Sequence, residues 1–205
     1  MAWPSTLLPT DPRAPGAGLL LFLAGCGGEP QGGPGAKGTA ETAIVFLKGL
    51  PVEEMREIVE EAVELVFRPH VYRDALGLVA LHRKRGERSF ILSAALQEIV
   101  DALVSELDFD GGLGSAAEVE NGVYTGRIER RLDGSAKAAA LEELALTEVI
   151  DLRQSTAYSD SASDVPFLEA VGRAVAVNPD RRLRRIAAER GWRVLRFRAK
   201  AFRGR

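Results

Sequence analysis

The chain has 205 residues, 46% of them hydrophobic, with a formal net charge of -2 and one cysteine. That suffices for one core of ordinary size, and it excludes an internal disulfide and a chain disordered throughout. The overall charge gives no reason to expect nucleic acid as a partner, and no run approaches the ~20 apolar residues of a membrane-spanning helix.

Residues 1–40 hold nine glycines and six prolines, too many for regular structure to persist, so this stretch reads as an irregular leader. Its one apolar run, Gly18-Leu-Leu-Leu-Phe-Leu-Ala-Gly-Cys26, supports two readings. In one, Leu23-Ala-Gly-Cys26 is similar to the cleavage box of a bacterial lipoprotein signal, which would anchor the chain at Cys26. In the other, Leu19 to Leu23 is a buried strand followed by a glycine-rich turn, and the protein is cytoplasmic.

Regular patterning begins at residue 41. After the break at Gly49-Leu-Pro51, Met55, Ile58, Val59, Ala62, Val63 and Val66 recur at helical spacing. Glu53, Glu54, Glu57, Glu60, Glu61 and Glu64 fall outward as a solvated acidic face. A second helix is expected from Pro69 to the stop at Arg85-Gly86, then a short apolar strand, Arg88 to Ala94, ending in Ser93. Leu96, Ile99, Val100, Leu103 and Leu107 mark the next helix, and Glu118 to Ile128, broken at Asn121-Gly122, reads as a hairpin. Ser135 is placed to cap a helix that carries Lys137, Leu141 and Leu144. A strand at Thr156 to Ser159, a helix at Val165 to Val171, a strand at Ala174 to Val177, a helix at Arg181 to Arg190 and a strand at Arg193 to Phe197 follow. From Arg181 to Arg205 ten arginines and one lysine face the single acid Glu189, which reads as a solvated basic tail.

Strands alternating with helices imply an α/β fold with a doubly wound parallel sheet of Rossmann type, and such sheets bind ligands at the carboxyl ends of their strands. Ser93, Asp160 and Asp164 fall at such ends and are expected on one edge of the sheet. Two carboxylates four residues apart, a hydroxyl and a lysine early in a helix are the groups needed to hold a phosphate through a metal ion. Asp164 is also well placed to cap the helix that starts at Val165-Pro166, and Ser93 also suits a tight strand-to-helix turn. His70 and His82 have no cysteine or acid at metal spacing around them, so zinc is not expected and both read as surface histidines.

From about Ile44 to Phe197 the chain resembles the haloacid dehalogenase superfamily of hydrolases, in the subfamily similar to phosphoserine phosphatase. The resemblance rests on Ile91-Leu-Ser93-Ala, Glu120-Asn-Gly-Val-Tyr-Thr-Gly-Arg127, Tyr158-Ser-Asp-Ser-Ala-Ser-Asp-Val-Pro-Phe-Leu-Glu-Ala-Val-Gly172 and Ala176-Val-Asn-Pro-Asp-Arg-Arg-Leu-Arg-Arg185 followed by Arg190-Gly-Trp192. It implies that Ser93 bonds a phosphoryl group, that Lys137 neutralises an aspartyl-phosphate, and that Asp160 and Asp164 serve a magnesium ion (Mg2+). It further implies a phosphomonoesterase acting on a small phosphorylated metabolite, with residues 41–68 as the remnant of a helical cap and 69–205 as the core. The family's first motif is a strand ending in Asp-x-Asp-x-Thr, and these 205 residues contain none. If Leu19 to Phe22 stands in for that strand, Leu23, Gly25 and Gly27 occupy the places of the two aspartates and the threonine. Asp11, in Thr-Asp-Pro-Arg, has no apolar run before it.

Overall fold

The computed structural model describes Leu19–Phe22 and residues 44–202. Asp11, Leu23, Gly25, Cys26 and Gly27 lie outside the described residues, and with them the choice between a signal and a turn.

Seven strands form one sheet in the order β4-β3-β2-β1-β5-β6-β7. They are β1 (Leu19–Phe22), β2 (Arg88–Leu96), β3 (Gly111–Glu120), β4 (Val123–Arg130), β5 (Thr156–Ser159), β6 (Arg173–Val177) and β7 (Arg193–Leu195). All neighbours are parallel except β3 and β4, which form an antiparallel hairpin. The short apolar run Leu19–Phe22 fills the centre, paired with β2 on one side and β5 on the other. The chain order reverses across β1, and a crevice opens at such a switch point.

The described residues include the helices α1 (Val52–Ala62), α2 (Arg73–Lys84), α3 (Gln97–Leu107), α4 (Gly134–Thr147), α5 (Val165–Glu169) and α6 (Arg181–Glu189), with α1 packed on α3. The strands alternate between two cores, as a pleat with period two requires. Phe90, Leu92, Leu113, Ala157 and Ala176 pack with Leu141 and Leu144 of α4, Phe167 and Leu168 of α5 and Leu183 of α6. Ile91, Tyr158, Val175 and Val177 pack on the other side with Met55 and Val59 of α1, Val79 of α2 and Val100 and Leu103 of α3. Burying both faces is what makes these parallel strands read as continuous apolar runs.

Several expected boundaries shift for identifiable reasons. The helix expected from Pro69 starts at Arg73, because a π turn at Val63–Phe67 and a 3-10 turn at Arg68–His70 precede an extended Val71. That extended backbone is used by the C-terminal arm. Arg73 N–H donates to Ala199 O and Ala201 N–H to Val71 O, both at 2.8 Å, while the Lys200 ammonium lies 3.6 Å from the Tyr72 ring centroid. Phe197 is buried in the core, so the arm is docked where a solvated tail was expected.

The hairpin is longer than its alternating pattern suggested, since β3 begins at Gly111 and pairs with β2 through Phe90↔Gly111 and Leu92↔Leu113. Glycine hides this strand, yet the packing demands it. A Cβ on Gly112 would stand 2.5 Å from Val100 Cγ1, and one on Gly114 2.8 Å from Gln97 Cα. Asn121 (φ 52°) and Gly122 (φ 78°) make the expected turn.

His82 is not at the surface. It is 4% exposed, with Nδ1 against the Glu87 carboxylate and Nε2 2.9 Å from the Tyr158 hydroxyl. Glu87 and Tyr158 satisfy both ring nitrogens, and the Tyr158 ring stands edge-on to the imidazole. His70 is exposed, with Nδ1 2.7 Å from Val66 O.

Candidate functional site

Strand register places the site. Phe22 of β1 pairs with Ile91 of β2 and with Tyr158 of β5, so Ser93 and Asp160 each lie two residues beyond a partner of Phe22. They flank the central strand at its carboxyl edge, on one edge as expected.

β2, expected to end at Ser93, runs on to Leu96; Ser93 is half-buried and its Oγ accepts from Ala95 N–H at 3.2 Å, in the stretch between Leu92 and Leu96 where the register with β3 shifts. The neighbouring carbonyl, Ala94 O, accepts from Ser115 Oγ at 2.8 Å, and the same Ser115 Oγ accepts from Leu132 N–H at 3.0 Å. Ser115 thereby ties the Ser93 stretch to the segment that enters α4. Sequence reading passed over it because it lies in the glycine-rich part of β3.

Lys137 sits in the second turn of the helical residues that begin at Gly134, not behind a Ser135 cap. The capping position belongs to Asp133, whose side chain makes no cap bond and accepts instead from Arg131 Nε. Lys137 and Asp164 are 7% and 2% exposed, and Nζ donates to Asp164 Oδ1 at 2.8 Å. The other oxygen, Oδ2, accepts from Ser159 Oγ at 2.7 Å. Asp164 starts α5 but makes no side-chain cap bond, so its carboxylate works inward, on Lys137. A buried ammonium is costly without such a partner. Ser159, the last residue of β5, is a second group that sequence reading missed. Its signal was position, immediately before the Asp160-x-x-x-Asp164 frame.

Asp160 is half-buried and faces a different balance. Burial, the largest cause, pushes its carboxyl above the ordinary aspartate value; Asp164 and Asp180 push the same way, against its own backbone N–H and Lys137. The Asp160 carbonyl accepts from Asp180 N–H at 2.8 Å.

Among the described residues, no group of three or more His, Cys, Asp or Glu side chains could hold a metal ion. A magnesium ion does not need one, because it is usually held through one or two carboxylates together with water and a bound phosphate. Asp160 fits that pattern: burial above all, with the negative charges of Asp164 and Asp180 added, disfavours its charged form, and a cation would offset this. Asp164 is already engaged through both oxygens.

The sequence Asp108-Phe-Asp110 is at the wrong edge to supply a nucleophile. Asp108 ends α3 in a left-handed conformation (φ 57°), and Asp110 Oδ2 accepts from Ser89 N–H at 2.7 Å, at the start of β2.

Gly172 closes the Tyr158–Gly172 stretch. A Cβ there would stand 1.7 Å from Arg153 O, and its N–H donates to Leu152 O at 2.8 Å. No helix among the described residues is long and apolar enough to cross a membrane.

The family model for haloacid dehalogenase-like hydrolases matches residues 30–169. The chain is 38% identical over 157 residues to the phosphoserine phosphatase SerB1 of Mycobacterium tuberculosis, covering 76% of this chain and 51% of that protein. It is 41% identical over 151 residues to the inhibition of morphological differentiation protein of Streptomyces azureus, covering 73% and 54%. The chain spans about half the length of these curated relatives. Among solved structures, a protein of unknown function from Bordetella pertussis superposes with a TM-score of 0.70 at 30% identity, over 78% of this chain and 76% of that one. A phospho-aspartyl intermediate analogue of phosphoserine phosphatase has the same fold, with a TM-score of 0.55 at 21% identity over 76% and 70%.

Proposed function

We infer that this chain, which belongs to the haloacid dehalogenase-like hydrolase family, carries the phosphate-holding part of a phosphomonoesterase site and lacks its nucleophile as written. The substrate class is a small phosphorylated metabolite. The observation that carries the reading is the buried Lys137–Asp164 pair on the sheet edge that also bears Ser93 and Asp160.

In this reading the Ser93 hydroxyl, whose oxygen accepts from Ala95 N–H, donates its own proton to a phosphoryl oxygen. Lys137 stabilises charge that develops on the phosphoryl group, and its fixed position is the work of Asp164 and Ser159. Asp160 holds the magnesium ion, which when bound supplies charge neutralisation at phosphorus. Asp164 is assigned to Lys137 and not to the metal, because both its oxygens are engaged. Residues 41–68 are read as the remnant of a cover over the site, with α1 packed on α3 and the start of α1 bonded to the β3–β4 turn. Pro51 bridges to Val123, and Val52 N–H donates to Gly122 O at 3.0 Å.

Positioning and neutralisation are most of what phosphoryl transfer asks of a protein, but an attacking oxyanion must still be supplied. With no Asp-x-Asp-x-Thr, only unoriented water is available, and such a loss costs several orders of magnitude in rate. The same absence favours a second reading, a protein that binds metal and phosphate without turnover.

The test replaces residues 1–40 with a leader carrying a strand and Asp-x-Asp-x-Thr. Activity on phosphoserine with magnesium should appear and should vanish with Asp160→Asn or Lys137→Met. A correctly folded graft with no activity would favour the second reading.

A further inference from the structure

Asp180 joins the Asp160 loop to a helix through three bonds. Its Oδ1 accepts from Leu183 N–H at 2.7 Å and caps α6. Its Oδ2 accepts from Ala162 N–H at 2.8 Å, and its own N–H donates to Asp160 O at 2.8 Å. Only the first of these serves the helix. Serine or threonine would cap α6 about as well, without placing a further negative charge beside Asp160.

The second carboxylate oxygen is therefore explained by the loop. It holds Ala162 while the Asp180 N–H holds the Asp160 carbonyl, so the backbone is fixed on both sides of Ser161. Ser161 in turn is fixed locally, its N–H donating to Ser159 Oγ at 3.2 Å. We propose that Asp180 is a positioning residue, a clamp that sets the direction of the Asp160 carboxylate for a divalent cation. This rests on the reading of Asp160 as the metal-holding residue. Groups that orient a metal-binding side chain are worth roughly 10- to 100-fold in affinity when removed.

The discriminating variant is Asp180→Ser, which keeps a cap for α6 but is too short to reach Ala162 as well. Magnesium is titrated into the full chain, reading amide shifts of residues 159–164 by NMR, alongside amide exchange of Ala162 and of α6 and thermal melting. The clamp predicts unchanged melting and α6 protection, faster exchange at Ala162 and magnesium binding weakened about 10-fold. Magnesium binding equal to that of the parent chain would overturn it. So would an equal loss of protection throughout α6, which would reduce Asp180 to a helix cap. If the parent chain shows no magnesium shift at Asp160, the metal reading fails and the clamp's role toward a cation fails with it, whereas parental binding that Asp180→Ser leaves unchanged overturns the clamp alone.

Discussion

Lys137 Nζ donates to Asp164 Oδ1 across 2.8 Å in a place where both side chains are almost wholly withdrawn from water. Removing one partner leaves a buried charge unpaired, which costs about 3–5 kcal/mol. Lys137→Met and Asp164→Asn should each destabilise the chain by that order in denaturant unfolding. The double substitution should cost much less than the sum of the two. Additive losses would show that the pair is not the coupled unit the geometry implies.

Asp160 should behave in the opposite sense. Its folded-state value is raised above the unfolded one, so the native state binds the proton more tightly. Stability therefore falls as pH rises from the ordinary aspartate range through the higher folded value, and the charged group remains a net cost above it. Asp160→Asn should melt higher than the parent at pH 7, with the gap closing at acidic pH. Added magnesium should raise the melting temperature of the parent and not of the variant. A variant that melts lower than the parent at pH 7 would contradict this.

Gly172 leaves no room for a side chain. With Arg153 O in the way of its Cβ, Gly172→Ala must displace backbone on one side or the other. We expect a loss of at least about 3 kcal/mol or recovery only as aggregate, whereas Gly86→Ala, which meets nothing nearby but keeps a left-handed φ of 74°, should cost about 1 kcal/mol. Urea unfolding of the two variants side by side checks the ranking.

The C-terminal arm makes a separate prediction. Arg68 stacks 4.3 Å from the centroid of Phe202, and Lys200 caps the Tyr72 ring and donates to His70 O at 2.9 Å. Truncation after Arg198 should speed amide exchange across residues 70–74 while leaving β5 and α4 protected. Unchanged exchange at Arg73, whose N–H donates to Ala199 O, would show that the arm holds nothing.

The alternation of apolar strands and helices was legible in the sequence because both faces of the sheet are buried, which makes Phe90-Ile-Leu92 and Ala174-Val-Ala-Val177 plain apolar runs. For Leu19–Phe22 a strand was one of two readings the sequence left open, and its place in the sheet is given by its pairing with β2 and β5. Asp160 was legible as a strand-end residue, directly after β5, whereas Ser93 lies three residues inside the end of β2 and Asp164 at the start of the next helix. Their division of labour was not legible, because it depends on which oxygen meets which donor. Asp164 read as a metal ligand or a helix cap, and its carboxylate turns inward to Lys137 and Ser159; Ser115 and Ser159 carry no pattern of their own and act through bonds to residues 17 to 21 and 5 positions away. His82 read as a surface residue because its partners, Glu87 and Tyr158, are brought together only by the fold.

The most direct measurement is turnover of phosphoserine and para-nitrophenyl phosphate by the unmodified chain with magnesium present. The account predicts no rate above background, while the folded chain still shifts at Ser93 and Lys137 when inorganic phosphate is added with magnesium. Robust turnover abolished by Asp11→Asn would contradict it, because an acid in the leader would then be the nucleophile that the account says is missing.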